Sequence, residues 1–145
     1  MQVHKILVVC VGNICRSPLG ERLLQQALPD IEISSAGLGA LVGKPADTLA
    51  TEVAANKGVS LDGHSARQFT PDLASGQDLI LVMEPGHKHE IARISPHLSG
   101  RVMLFDQFTG AKGIADPYRR SKEFHELVFQ QVSAASVAWA ARLKM

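Results

Sequence analysis

Cys10 and Arg16, separated by five residues in the stretch CVGNICRSP, are the pair best suited to chemistry. A loop that curls between them lets a thiol and a guanidinium meet one ligand. Gly12 has access to backbone conformations that other residues avoid, and Asn13 tolerates left-handed geometry. The N–H groups of Val11, Gly12, Asn13, Ile14, Cys15 and Arg16 can then turn inward as a nest for an anion. A helix starting after the loop adds the partial positive charge of its N-terminus. Arg16 offers a planar fork for two phosphate oxygens. These surroundings favour a thiolate over a thiol, and Ser17 is placed to donate a hydrogen bond to it. The chemistry that fits is attack by the Cys10 sulfur on the phosphorus of a bound phosphate ester. Taken alone, VVCV reads as strand with a small buried hydrophobe. The Gly, Asn, Arg, Ser and Pro that follow each meet a separate need of one anion site and reverse that reading. A Walker-type nucleotide loop is excluded, because no Gly-Lys-Ser/Thr follows.

Such a loop needs a strand before it and a helix after it. Four apolar runs read as strands, over 5–11, 31–37, 78–83 and 101–105. The first and third are nearly continuous in Val, Ile and Leu, as in parallel strands covered on both faces. IEISS alternates and reads as a strand nearer an edge. Helical patterns lie between the strands. Ser17 and Pro18 suit the cap and first position of the first helix, with Leu19, Leu23, Leu24 and Ala27 as its apolar stripe. A second helix is capped by Asp47 and ends at Gly58, and a third runs over 84–94. From about Lys122, Phe124, Leu127, Val128, Val132, Ala135, Trp139 and Leu143 share one face of a long helix, with Trp139 in the core. Strands alternating with helices predict right-handed crossovers and a parallel sheet. The expected fold is α/β: one Rossmann-like domain over 1–145, three layers (α/β/α), with a central four-stranded parallel sheet. The phosphate-binding loop follows strand 1, at the carboxyl end where such sheets bind ligands. The most loop-like stretch, 37–47, carries an apolar LGAL run near that end.

The 145 residues suit one core, and 46% hydrophobic with 20% charged content reads as globular. A net charge of +1 gives no general attraction to nucleic acid, so an anion must be held by a local site. The N-terminal apolar run lacks the flanks of a signal peptide, and no run is long enough to cross a membrane. A cytoplasmic protein is expected. Two cysteines in one loop make no disulfide framework, and a structural zinc site needs four ligands. His87 and His89 alone do not make a metal site, and no metal or cofactor is expected.

CVGNICRSP resembles the signature loop of the low-molecular-weight protein tyrosine phosphatases: Cys, five residues, Arg, then Ser or Thr, near the N-terminus. The resemblance continues through SSAG (34–37), HSARQ (64–68), DLILVME (78–84) and DPYRRS (116–121). It spans nearly the whole chain in the family's order. AGLGALVGKPAD resembles bacterial members associated with capsule or exopolysaccharide export, which act on tyrosine autokinases. The resemblance implies hydrolysis of phosphotyrosine through a phosphocysteine intermediate. Cys10 would be the nucleophile, Arg16 the phosphate clamp and Asp116 the general acid. On residues alone, Asp116-Pro117 reads first as an ordinary turn, and it is the resemblance that overturns this. Asn13 would hold the loop's shape, Ser17 would support the thiolate, and Leu38, Leu41 and Tyr118 are candidates for the substrate wall. Cys15 has two readings: a loop filler whose amide matters, or a disulfide partner for oxidised Cys10. The implied partner is a phosphotyrosine protein, a bacterial tyrosine autokinase, met by a monomeric enzyme.

Three other readings compete. A thioredoxin-coupled arsenate reductase shares such a loop but needs downstream cysteines as a relay, and none follows Cys15. A sugar-transport phosphocarrier also places a cysteine after a first strand, but lacks this loop with a late Asp-Pro. A phosphopeptide-binding module has little use for a thiol at the centre of the nest.

Overall fold

Four apolar runs become four parallel strands in the order β2-β1-β3-β4: β1 (Lys5–Cys10), β2 (Glu32–Gly37), β3 (Leu79–Val82) and β4 (Val102–Leu104). The computed structural model describes residues 2–144. β1 and β3 are central, as their unbroken Val/Ile/Leu content requires, and alternating β2 is an edge. Each strand is one residue shorter than expected, at one end in β1 and β2 and at both ends in β3 and β4, where pairing frays. Asp78, expected inside the third strand, instead ties that strand's start to β1. Its Oδ2 accepts from the N–H groups of His4 and Lys5 at 2.8 and 3.0 Å.

The side chains of β1 alternate between two cores. Ile6, Val8 and Cys10 face one cluster, with Leu81, Phe105, Val132 and Trp139. Leu7 and Val9 face the other, with Ile80, Val82, Ile91 and Leu98. Burying one such aliphatic side chain contributes roughly 1.5–3 kcal/mol. Helices α1 (Arg16–Ala27), α2 (Thr48–Asn56) and α5 (Lys122–Leu143) cover the first face. Helices α3 (Pro71–Ser75) and α4 (Pro85–Ile94), with the 3-10 segment Pro96–Arg101, cover the second. This is the three-layer arrangement expected.

Three local expectations are corrected. α1 begins at Arg16 with Cys15 at the cap position and no side-chain cap bond, so Ser17 and Pro18 are its second and third residues. Pro18 costs no hydrogen bond there, because the first N–H groups of a helix have no internal acceptor. On α5, Leu127 is 45% exposed, whereas Phe129 and His125 are buried. The buried stripe runs through 125, 128, 129, 132, 135, 136 and 139, which puts Leu127 on the helix flank. Helix α3 was not foreseen; five residues show too little periodicity, although Thr70 caps it by accepting from the Leu73 N–H. Asp47 caps α2 as expected, accepting from the Ala50 N–H, and Trp139 is core, its Nε1–H donating to the Phe105 carbonyl.

Candidate active site

Cys10 ends β1, and the chain turns through 11–15 before α1 starts at Arg16. Each carbonyl of this turn is taken by a donor outside it. The Leu38, Gly39 and Leu41 N–H groups donate to the carbonyls of Cys10, Val11 and Gly12 at 2.9, 3.0 and 3.0 Å. His64 Nε2–H donates to the Asn13 carbonyl at 2.5 Å, and the Asp47 N–H to the Ile14 carbonyl at 2.8 Å. Among the described residues no protein acceptor takes an N–H of Val11 to Cys15. Carbonyls fixed outward with amides left free is the geometry of an anion nest.

The conformational demand falls on Asn13, as expected, and not on Gly12. Asn13 is the left-handed residue, at φ 58°, and Gly12 is not at positive φ. The position that must be glycine is 37. A Cβ there would lie 2.2 Å from the Val11 carbonyl oxygen, so only glycine lets the end of β2 lie against the loop.

Asn13 is fully buried and does not line the cleft; its side chain organises the loop from behind. Its Oδ1 accepts from the Arg67 N–H at 2.9 Å, which fixes the amide orientation. Its Nδ2 donates to Ser17 Oγ at 2.8 Å and to Ser35 Oγ at 3.0 Å. Ser35 in turn donates to Glu21 Oε1 at 2.6 Å. Ser17 Oγ lies 2.8 Å from Cys10 Sγ, so its hydroxyl is placed to donate to the sulfur when Cys10 is a thiolate.

Arg16 is buried, 1% exposed. Its Nη1 is held by Glu84 Oε2 and by the Ile114 carbonyl, both at 2.6 Å. Its Nε is buried with no partner among the described residues, and Nη2 lies 3.8 Å from Asp116 Oδ2. One nitrogen anchors the fork, and the rest of it is available to a ligand.

The cleft above holds about 160 Å³, lined by Cys10, Arg16, Val11, Ile14, Leu41 and Tyr118 among others, with Asp116 on its rim. Asp116 is half exposed, and its Oδ1 accepts from the Tyr118 N–H at 3.0 Å. Leu38 is corrected: it packs beside the second core and does not line the cleft, where Gly39 stands instead. Cys10 and Cys15 are both free and buried. Burial, then Asp47, Cys10 and Asp116, push the Cys15 thiol up, against the pull of Arg16.

Glu84, His64, Ser35 and the Ile114 carbonyl were not foreseen as parts of the site. The first three lie inside the family-like stretches, but no spacing ties them to the loop.

His87 also borders Arg16. It is buried, with Nε2 3.5 Å from Glu84 Oε2 and Nδ1 unpartnered among the described residues. Burial first, then the Arg16 guanidinium, hold its pKa below the ordinary 6.5, against Glu84 and Asp116. The unfolded chain therefore takes up this proton at higher pH than the folded one. The stability from neutral His87, complete above about 6.5, is lost as pH falls through the folded value. Urea unfolding at neutral and mildly acid pH should show a smaller acid loss in His87→Gln than in wild type. Parallel losses would assign the effect to other groups.

A family model described as low molecular weight phosphotyrosine protein phosphatase matches residues 5–145. The low molecular weight protein-tyrosine-phosphatase Etp of Escherichia coli K12 is 49% identical over 143 residues, covering 99% of this chain and 97% of its own. The crystal structure of the tyrosine phosphatase Wzb from Escherichia coli K30 with sulphate superposes with a TM-score of 0.96 at 48% identity, covering 98% of this chain and 99% of that one. Vibrio vulnificus Wzb in complex with benzylphosphonate gives a TM-score of 0.95 at 50% identity, covering 97% and 99%. A free-amide loop around a thiol, a buried guanidinium and a match over nearly the full chain converge: this chain belongs to the low molecular weight phosphotyrosine protein phosphatases and is a protein-tyrosine phosphatase.

Proposed function

We propose that Cys10, Arg16 and Asp116 hydrolyse phosphotyrosine through a phosphocysteine intermediate. The observation that carries the reading is the loop itself. Its carbonyls are taken outward, its amides are unpaired, and a serine hydroxyl lies 2.8 Å from the sulfur at its centre. Such a site stabilises a thiolate and the equatorial oxygens of a phosphoryl group without reorganising. In the first step the sulfur–phosphorus bond forms, the phosphorus–phenolate bond breaks, and Asp116 gives its proton to the phenolate. In the second, Asp116 takes a proton from water, the water oxygen bonds to phosphorus, and the sulfur–phosphorus bond breaks. Arg16 and the amides of 11–16 hold the phosphoryl oxygens through both steps.

Val11, Ile14, Leu41 and Tyr118 present an apolar wall that suits an aryl ring, and Asp116 is the only carboxylate in the cleft lining. Sulphate and benzylphosphonate, bound by the two Wzb structures, are an anion and an anion carrying an aryl ring, the chemistry that a nest of free amides with an apolar wall complements. On this reading the enzyme is a cytoplasmic monomer. Its partner is a phosphorylated bacterial tyrosine autokinase that controls exopolysaccharide or capsule synthesis and export. The AGLGALVGKPAD stretch, which resembles members associated with capsule or exopolysaccharide export, supports that partner.

The test is phosphate release from matched phosphotyrosine, phosphoserine and phosphoarginine peptides. Release is expected from phosphotyrosine alone, at least about 100-fold faster than from the others, because only its leaving group fills the apolar wall. Equal rates on phosphoserine would remove the aryl-recognition part of the reading. Preference for phosphoarginine would replace the substrate class.

A further inference from the structure

Asp106 lies outside the cleft, just after β4, and is 6% exposed. It gathers the loop that leads to Asp116. Its Oδ2 accepts from the N–H groups of Lys112 and Gly113 at 3.1 and 3.0 Å. Its backbone carbonyl accepts from those of Thr109 and Ala111 at 3.0 and 2.9 Å. Four amides of one short loop thus converge on a single residue.

That loop has little else to define it. Gly110, Ala111 and Gly113 all have positive φ, 131°, 56° and 95°. Left-handed backbone at a non-glycine residue costs about 1 kcal/mol or more and persists only where neighbours enforce it. Gly113 is also pressed against the β3–α4 corner, where a Cβ would lie 3.0 Å from Pro85 Cδ and 3.3 Å from the Met83 carbonyl. Directly after it, the Ile114 N–H donates to the Met83 carbonyl at 2.7 Å. Asp116 comes two residues later, and its own hydrogen bond is local, from the Tyr118 N–H. On the far side the chain is fixed by Ser121, which caps α5. The reach of Asp116 over the cleft is thus set by its two flanks, and Asp106 organises the first of them.

We infer that Asp106 is a positioning residue for Asp116: its carboxylate folds the 109–113 loop and so holds the general acid over the leaving group. The inference rests on the reading of Asp116 given above. It has a kinetic signature that general loosening of the fold lacks. A misplaced acid slows the first step, which kcat/KM reports, only for esters whose leaving group needs a proton.

The experiment compares phenyl phosphate, whose phenolate must be protonated, with 2,4-dinitrophenyl phosphate, whose phenolate leaves unaided. Wild type, Asp106→Ala, Asp106→Asn and Asp116→Asn are measured well below their unfolding temperatures. Asp116→Asn should lose about 100-fold or more in kcat/KM on phenyl phosphate and little on the dinitrophenyl ester, because kcat/KM excludes the later hydrolysis step that both esters share. Asp106→Ala should lose roughly tenfold in kcat/KM on phenyl phosphate and less than about twofold on the other. Asp106→Asn keeps an acceptor oxygen and should recover most of the rate, with a residual loss of about threefold on phenyl phosphate only. If Asp106→Ala does not fold, Asp106→Asn carries the test by the same selectivity. Equal losses on both esters, or none on either, overturn the positioning role. If Asp116→Asn itself shows no leaving-group dependence, the general-acid reading and this inference fall together.

Discussion

Cys10→Ser loses turnover of phosphotyrosine peptide by about 10⁴–10⁶-fold and still binds an arylmethylphosphonate. The two halves of this result come from different parts of the loop. Turnover needs a nucleophile that is ionised near neutral pH, and a serine hydroxyl is not. Oxygen also lacks the sulfur's intrinsic reactivity towards an electrophilic centre. Binding needs the free amides and the guanidinium, which the substitution does not touch. The loop is held from outside through the carbonyls of Cys10, Val11, Gly12, Asn13 and Ile14, and none of those bonds involves the thiol. The relay from Glu21 through Ser35 and Asn13 ends on the Ser17 hydroxyl, which then meets an oxygen in place of sulfur. Titration calorimetry reads the binding, and phosphate release reads the chemistry. Loss of both together would mean that the thiol shapes the loop. Substantial residual turnover would remove Cys10 as the attacking group.

What was legible in the sequence divides along sequence distance. Cys10, Asn13, Arg16 and Ser17 sit within one turn of chain, so their types and spacing stated the chemistry before any fold was known. The central strands were legible too, because continuous Val, Ile and Leu have one stable destination in an α/β sheet. The groups that hold the loop from outside were not. Glu84 meets Arg16 across 68 positions, and His64 meets the Asn13 carbonyl across 51. Only the packed sheet brings them together. Leu127 and Phe129 show a subtler limit: both are apolar and two residues apart, and packing against the sheet decides which is buried. Ser17 is instructive in another way. Its type suited a helix cap, but the helix starts two residues earlier than that cap implies and leaves the hydroxyl free for the sulfur. The need for glycine falls on Gly37 and not on Gly12 for a similar reason, since a close approach between β2 and the loop is a tertiary fact.

Arg16→Lys should lower kcat/KM by about 10²–10³-fold, although charge and approximate length are kept. The reason is the division of labour within the guanidinium. Nη1 is occupied by Glu84 and the Ile114 carbonyl, while Nε is buried without a partner and Nη2 faces the cleft rim beside Asp116. A planar fork can anchor one arm and present the others at a fixed angle. A lysine has one nitrogen, which must choose between the anchors and the phosphoryl oxygens. With Glu84 and a carbonyl in reach, the ammonium is drawn to them, and the transition state loses its bidentate clamp. The loss should fall mainly on kcat, because charge builds on the equatorial oxygens as the phosphoryl group transfers. A second substitution separates anchoring from clamping. In Arg16→Lys with Glu84→Gln, the ammonium has a weaker competitor and part of the rate should return. Steady-state kinetics on phosphotyrosine peptide read both variants. A single variant with wild-type kcat would mean that the loop amides alone stabilise the transferring group. A double variant no faster than the single would mean that Glu84 does not compete for the cation.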